Sequence, residues 1–125
     1  SDTMVIKVVR TALTADNAGS NSGSTITTTS TAVATANSFG ASEFRSARYT
    51  VQITNSTDST YQVTEIILIH NGTTPEITEY GTVFTGAAVE ATFDADISSG
   101  SVRLRVTPAS GDTRVIKVVR HSITV

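Results

Sequence analysis

Two neighbouring segments near the C-terminus alternate apolar and polar residues so regularly that they constrain the fold more than any other part of the sequence. Apolar residues occupy every second position of Val89–Ile97 and again of Val102–Val106. Alternate residues of a β-strand face the same side of a sheet, so each segment predicts a strand with one buried face. Residues 98–101 between them, three serines and a glycine, predict the turn of a β-hairpin.

The two faces of this hairpin agree on a single register. In that register Asp94 lies opposite Arg105 and Asp96 lies opposite Arg103, so opposite charges are paired across the strands. Because an arginine beside each carboxylate competes with any cation, we interpret these four residues as structural cross-strand pairs, not as a metal site or a catalytic dyad. The apolar pairs of the same register are Phe93 with Val106, Ala95 with Leu104, and Ile97 with Val102.

The rest of the chain also favours strands over helices. Its 125 residues are dominated by Thr, Ser, Val, Ala and Ile, and β-branched side chains suit a pleated sheet. Asn71-Gly72 between two β-rich runs predicts a two-residue hairpin turn, with His70 opposite Thr73. We therefore predict an all-β fold, an antiparallel, jelly-roll-like β-sandwich of about eight strands. Residues 41–47 form either one short helical turn or an irregular crossover.

A phrase near the N-terminus is repeated near the C-terminus. Asp2–Arg10 and Asp112–Arg120 differ only where Met4 stands in place of Arg114. A tandem repeat is the usual cause of such a match at long separation. Residues 1–14 are then the last strand of a preceding repeat, or an edge or exchanged strand. Residues 15–24 are predicted to be a flexible linker, and residues 25–125 a single β-sandwich domain.

The two copies of the phrase suit the same position in a sheet. We expect the C-terminal copy to occupy it, because only a short turn joins that copy to the neighbouring hairpin. The N-terminal copy, from Met4 to Leu13, is expected to be a strand that pairs with an exposed edge of its own domain or of a neighbouring molecule. The partners predicted are therefore neighbouring repeats or a second copy of the chain. The residues of this exchange segment are Met4, Ile6, Val8, Val9 and Arg10.

Composition argues against several functional classes. The net charge of −2, with dispersed Lys and Arg, gives no footprint for nucleic acid. There is no cysteine for disulfides or thiolate metal sites, and no apolar run long enough for membrane insertion. His70 and His121 are the only histidines, and neither follows a nucleophile motif such as G-x-S-x-G. The sequence thus predicts a protein that is not an enzyme, without catalytic residue, metal or cofactor.

Exposed turns offer a second interpretation, in which the domain binds a ligand through its loops. Tyrosines can build a platform for a sugar, although in a sandwich they more often close the ends of the core. The candidate ligand-binding residues are Tyr61, His70, Asn71, Thr73, Ser98 and Ser101.

Three segments carry a resemblance to a known family. They are "ASEFRSARYTVQIT", "VTEIILIHNGTTPEITEYGTVFT" and "ATFDADISSGSVRLRVTP". Together with their surroundings, about residues 38–125, they resemble a repeated module of large virion structural proteins of tailed phages, especially marine cyanobacterial myophages. The resemblance implies a non-enzymatic module of a tail, fibre or appendage, which spaces or displays other parts in a virion assembled in the host cytoplasm. The alternative it implies is a host-receptor or glycan-binding module of a phage fibre.

Overall fold

The computed structural model describes residues 2–9 and 18–125, and within them the chain forms an antiparallel β-sandwich. One sheet has the strand order β1-β8-β3-β4-β5 and the other the order β2-β7-β6. This confirms the all-β, eight-stranded sandwich. The strands are β1 (Gly19–Thr28), β2 (Ala34–Gly40), β3 (Phe44–Asn55), β4 (Thr60–His70), β5 (Pro75–Phe84), β6 (Ala91–Ser98), β7 (Ser101–Pro108) and β8 (Arg114–Thr124).

The core lies between the two sheets and is built from alternate residues of the central strands. In β3 every second residue from Ala47 to Asn55 is buried, as the period of a strand with one inward face requires. Each fully buried Val, Leu or Ile contributes roughly 1.5–3 kcal/mol relative to an exposed one. The largest buried apolar side chains are Tyr49, Val51, Ile53, Ile66, Leu68, Val102, Leu104, Val106, Ile116 and Val118.

The β6–β7 hairpin has the register that its sequence pattern predicts. Asp94 is paired with Arg105, Asp96 with Arg103, and Phe93 with Val106. The β4–β5 hairpin differs from the prediction, because its turn has four residues, 71–74, and places His70 opposite Pro75.

The side chain of Asn71 explains this longer turn. Its Oδ1 accepts hydrogen bonds from the backbone N–H groups of Thr73 and Thr74, at 3.0 and 2.8 Å. The Asn71 N–H in turn donates to the Thr74 carbonyl. These bonds close a four-residue loop, in which Gly72 adopts a positive φ of 99°.

Residues 41–47 contain no helical turn. Ala41–Glu43 form a tight turn, in which the Glu43 N–H donates to the Gly40 carbonyl at 3.0 Å, and β3 already begins at Phe44. The turn carries the chain from the three-stranded sheet to the five-stranded one, so the predicted crossover is the alternative that applies. Among the residues that the structure describes, no helix is long and apolar enough to span a membrane.

The predicted linker is partly a strand. Gly19–Ser24 belong to β1, which pairs with β8 from Gly19 opposite Ile123 to Thr28 opposite Arg114. Backbone hydrogen bonds need no apolar side chains, so a Gly- and Ser-rich segment can form an edge strand once β8 supplies the partner groups. Residues 15–17 of the predicted linker lie outside the described residues.

The described part of the N-terminal phrase is not a strand, contrary to the prediction for Met4–Leu13. The side chains of Met4, Ile6 and Val8 are 82%, 83% and 70% exposed. The position between β1 and β3 that this phrase would suit is already filled by β8. The predicted segment continues through Arg10 to Leu13, which lie outside the described residues, and pairing with another molecule stays a prediction.

The domain begins and ends at the same end of the sandwich. Gly19, the first residue of β1, is paired with Ile123, next to the last residue of β8. We call this the terminal end, and it also carries the turns at 41–43, 71–74 and 99–100. The opposite end, the distal end, carries the loops 29–33, 56–59, 85–90 and 109–113.

Candidate functional site

A buried carboxylate organises the distal end. Glu90 precedes β6 and is 5% exposed, and Arg114, the first residue of β8, is 3% exposed. The Arg114 Nε donates to Glu90 Oε1 at 3.0 Å. Asn55 Nδ2 donates to the same oxygen at 2.9 Å, and Thr60 Oγ1 donates to Oε2 at 2.7 Å. The Glu90 side chain, from the loop before β6, thus connects the ends of β3, β4 and β8.

The surroundings keep this carboxylate ionised. Burial raises the pKa of Glu90, but the hydrogen bonds from Thr60 and Asn55 and the charge of Arg114 outweigh burial, and the net pKa lies below its usual value. The guanidinium has further acceptors, since its Nη1 donates to the Ser110 carbonyl at 2.9 Å. Glu90 and Arg114 therefore form a satisfied, buried ion pair with a structural role.

A hollow of about 380 Å³ lies beside this ion pair and opens at the distal end. Asp58 and Asp112 line it, and their carboxyl groups lie close together. The hydrogen bond that Asp58 makes to Asp112 when it is protonated, together with the negative charge of Asp112, raises the pKa of Asp58, whereas the hydrogen bond from Asn55 lowers the pKa of Asp112. The hollow offers carboxylate, hydroxyl and amide groups that suit a hydroxyl-rich ligand. Its remaining lining residues include Thr60, Gly86, Ala87, Ala88, Val89 and Ser110.

The structure separates the six loop residues that the sequence suggested as ligand contacts. The turn with His70, Asn71 and Thr73 lies at the terminal end, as does the β6–β7 turn flanked by Ser98 and Ser101. Tyr61, near the start of β4, lies instead close to the distal end and is half exposed. These residues therefore do not form one site.

Both histidines have structural partners. The ring of His70 is buried, its Nδ1 accepts from the Gly72 N–H at 2.9 Å, and its Nε2 lies 2.7 Å from the Phe44 carbonyl. Because Nδ1 is the acceptor, the proton of the neutral ring sits on Nε2 and is donated to Phe44. His121 contacts Asn21 on β1, with Nδ1 2.7 Å from Oδ1. Within 2–9 and 18–125, no group of three or more His, Cys, Asp or Glu side chains is placed to hold a metal ion.

The cross-strand arginines of β7 hold their carboxylates through two hydrogen bonds each. Arg105 Nε and Nη2 donate to the two oxygens of Asp94 at 2.9 and 2.7 Å. Arg103 makes the same fork to Asp96, and this hydrogen bonding lowers the pKa of Asp96. The pairs are partly exposed and fix the hairpin register.

The sequence interpretation missed a second buried arginine, Arg120. Its Nη1 donates to Asn37 Oδ1 at 2.7 Å and to the Ser38 carbonyl at 2.8 Å, and its guanidinium lies 5.3 Å from the Phe39 ring centroid. Burial lowers the pKa of Arg120. The signal was present in the sequence, since the alternation of β8 puts Arg120 on the same face as buried Ile116 and Val118.

Comparison with known proteins shows that a similar fold occurs in part of a phage tailspike. No protein-family model matches the chain, and no curated protein matches its sequence. The tailspike of Acinetobacter baumannii phage AM24 matches 84% of this chain with a TM-score of 0.50 and 10% identity, over 26% of its own length. The tailspike of Acinetobacter phage vB_ApiP_P1 matches 94% of this chain with a TM-score of 0.44 and 18% identity, over 24% of its length. The chain thus spans about a quarter of each tailspike.

Proposed function

We propose that this chain is a non-enzymatic structural module of a phage tail appendage, and that its role is display and not spacing. The observation that carries the proposal is the pairing of Gly19 with Ile123, which brings the start and the end of the domain together. A domain attached at one end projects its opposite end away from the attachment. The sandwich shared with a tailspike supports the placement in a tail appendage.

The length of the strands sets how far the distal loops project. The 11 residues of β8 span about 36 Å at about 3.3 Å per residue. A spacer gains most length per residue when its chain enters at one end and leaves at the other. Here the chain returns to the end at which it entered. The domain therefore projects sideways from the appendage and does not lengthen it.

The repeated phrase supports a tandem array of such domains. The two copies are 110 positions apart, so Met4–Thr14 corresponds to β8 of a preceding domain, and four residues, 15–18, separate it from β1. Five Cα–Cα steps, from Thr14 to Gly19, cover at most about 17 Å. The terminal ends of successive domains must then lie close together. Two domains can lie on one line, with their terminal ends together and their distal ends pointing in opposite directions. A third domain cannot extend this line, because its terminal end must also lie next to the other two.

Small-angle scattering on chains with one, two and three copies of residues 15–124 tests this arrangement. A rod of spacers would lengthen by about 36 Å or more with each copy. We expect the maximum dimension to rise from one copy to two, and then to stop rising in proportion as the third is added. Equal increments for the second and third copies would refute the display arrangement.

The hollow at the distal end favours one alternative, a module that binds a host receptor or glycan. It lies at the end that the domain would present, and its polar groups suit sugar hydroxyls. Titration with host surface polysaccharide, followed by NMR, should then shift the resonances of residues 85–90 and 109–113. Asp112→Asn should weaken the binding, and Asp94→Asn, on the β6–β7 hairpin, is the matched control. Shifts confined to Asn71, Thr73, Ser98 and Ser101 would place the site at the terminal end instead.

The sequence resemblance also predicts membership of the virion, assembly in the host cytoplasm and a marine cyanobacterial host. The repeated phrase predicts contacts with neighbouring repeats or a second copy of the chain. The two histidines support the non-enzymatic assignment, because their hydrogen-bond partners are backbone groups and the Asn21 amide, which are neither nucleophiles nor carboxylates.

A further inference from the structure

The two copies of the repeated phrase have opposite environments in one molecule. Ile116 and Val118 of β8 are 0% and 1% exposed, whereas the matching Ile6 and Val8 are 83% and 70% exposed. Over the described residues 2–9 the copies differ only at Met4 and Arg114. Over these residues the strand propensity and the apolar pattern are nearly the same in both copies, so neither explains why β8 is chosen.

The N-terminal phrase can reach the position of β8. Val9 already lies against the start of β1, since a Cβ added at Gly19 would meet its side chain. The Lys7 Nζ donates to Thr124 Oγ1 at 2.9 Å, at the end of β8. In the register of β8, the phrase would form an antiparallel hairpin with β1.

Loop length does not favour β8 either, contrary to the expectation from the sequence. Because β1 begins at Gly19, the loop of an N-terminal hairpin in the β8 register would be residues 14–18, five in number. Residues 109–113, which join β7 to β8, are also five. Because the entropy lost on closing a loop depends on its length, this cost is nearly the same for the two strands.

The two strands differ in their contacts at both ends. At the terminal end, His121 contacts Asn21 and the buried Ser122 accepts a hydrogen bond from Arg120, whereas the N-terminal phrase has Thr11 and Ala12 at these positions. The difference at the distal end is larger, because it concerns the buried ion pair. Met4 is the residue of the N-terminal phrase that corresponds to Arg114, and the methionine side chain has no N–H group to donate to Glu90. With the N-terminal phrase between β1 and β3, the Glu90 carboxylate would stay buried without its cation, which is strongly unfavourable.

We propose that the N-terminal phrase is a spare eighth strand, and that the Arg114–Glu90 ion pair selects β8 over it. The pair acts as a specificity determinant between two strands that share the run VIKVVR. In a tandem array it would keep each domain closed by its own last strand and reject the strand of the preceding copy. The inference does not depend on any ligand of the distal hollow.

Disulfide trapping tests this selection, because the chain has no cysteine of its own. Thr25 of β1 lies opposite Lys117 of β8, and Lys7 is the residue that corresponds to Lys117. Thr25→Cys with Lys117→Cys reports β8 in place, and Thr25→Cys with Lys7→Cys reports the N-terminal phrase in place. We expect the rate of disulfide formation in a glutathione buffer to be about a hundredfold lower for the second pair.

Met4→Arg is the decisive variant, because it gives the spare strand the missing cation while β8 is untouched. Met4 is exposed, so the substitution leaves the folded domain intact. We expect the trapping rate of the Lys7→Cys pair to rise at least tenfold, within one chain or between two chains. Thr3→Arg is the matched control, because it adds the same charge one residue away from the position that faces Glu90.

An unchanged trapping rate in Met4→Arg would overturn the proposal, and so would an equal rise in Thr3→Arg. Equal trapping of the two cysteine pairs in the otherwise unaltered chain would also overturn it, since β8 would then not be selected. Scattering by tandem copies and binding of polysaccharide are independent of these results, so the display role can fail or stand separately.

Discussion

Replacing Arg114 by methionine should destabilise the domain strongly, although methionine stands at the matching position of the N-terminal phrase. The substitution leaves Glu90 buried with Asn55 and Thr60 as its remaining side-chain donors. Removal of one partner of a buried ion pair costs about 3–5 kcal/mol. Arg105→Met is the matched control, because Arg105 holds Asp94 through two hydrogen bonds on a partly exposed face. Its effect should be much smaller, because water stabilises the carboxylate that is left.

Urea denaturation followed by circular dichroism measures both variants. With an m-value of about 2 kcal/mol/M, the midpoint of Arg114→Met should fall by about 2 M urea. The second variant Glu90→Gln/Arg114→Met should recover much of that loss, because it removes the uncompensated charge.

The loss should depend on pH in a defined direction. The pKa of Glu90 in the folded protein lies below its ordinary value of 4.5. The stabilisation by the pair is therefore complete above pH 4.5 and is lost as the pH falls through the folded pKa. The difference between the original protein and Arg114→Met should thus shrink in acid. Equal losses for Arg114→Met and Arg105→Met at pH 7, or a difference that grows in acid, would refute this reasoning.

Two further substitutions test the core and the hairpin by the same denaturation assay. Tyr49→Phe should stabilise the protein by about 1–2 kcal/mol, because the buried Tyr49 hydroxyl has no hydrogen-bond partner among the described residues, and a loss of stability would contradict this. Leu104→Ala should cost about 2–5 kcal/mol, since Leu104 is fully buried opposite Ala95. Phe93→Ala should cost less than a fully buried phenylalanine would, because Phe93 is only partly buried, and Asp94→Asn should cost least. The opposite order would place the Asp94 side chain, and not Leu104, against the core.

Much of the sandwich follows from the sequence because the evidence for a strand is local. The β6–β7 hairpin has the predicted register, since its charged face and its apolar face each specify the same pairing. Pattern alone was insufficient where side chains bond to the backbone. The four-residue turn at Asn71 depends on hydrogen bonds from Thr73 and Thr74 to its side chain, which the Asn-Gly signal does not reveal.

The sequence pattern did not predict the polar strand β1 or the arrangement of side chains at the distal end. Gly19–Ser24 has almost no apolar side chain, and it is a strand because β8 supplies the backbone partners. The hollow lined by Asp58 and Asp112 joins residues that are far apart in the chain, and no motif marks them. Glu90 gave no signal of burial, because it continues the alternating polar face of the following strand.

The repeated phrase shows most directly what the sequence determines and what the tertiary structure determines. The sequence by itself determined that Met4–Arg10 and Arg114–Arg120 suit the same place in a sheet, because both have the same apolar alternation. Only the tertiary structure decided which of them is a strand. Nearly identical sequences have nearly identical local propensities, so the choice depends on contacts distant in the chain. One of those contacts is the bond from Arg114 to Glu90, 24 residues away, for which Met4 has no equivalent.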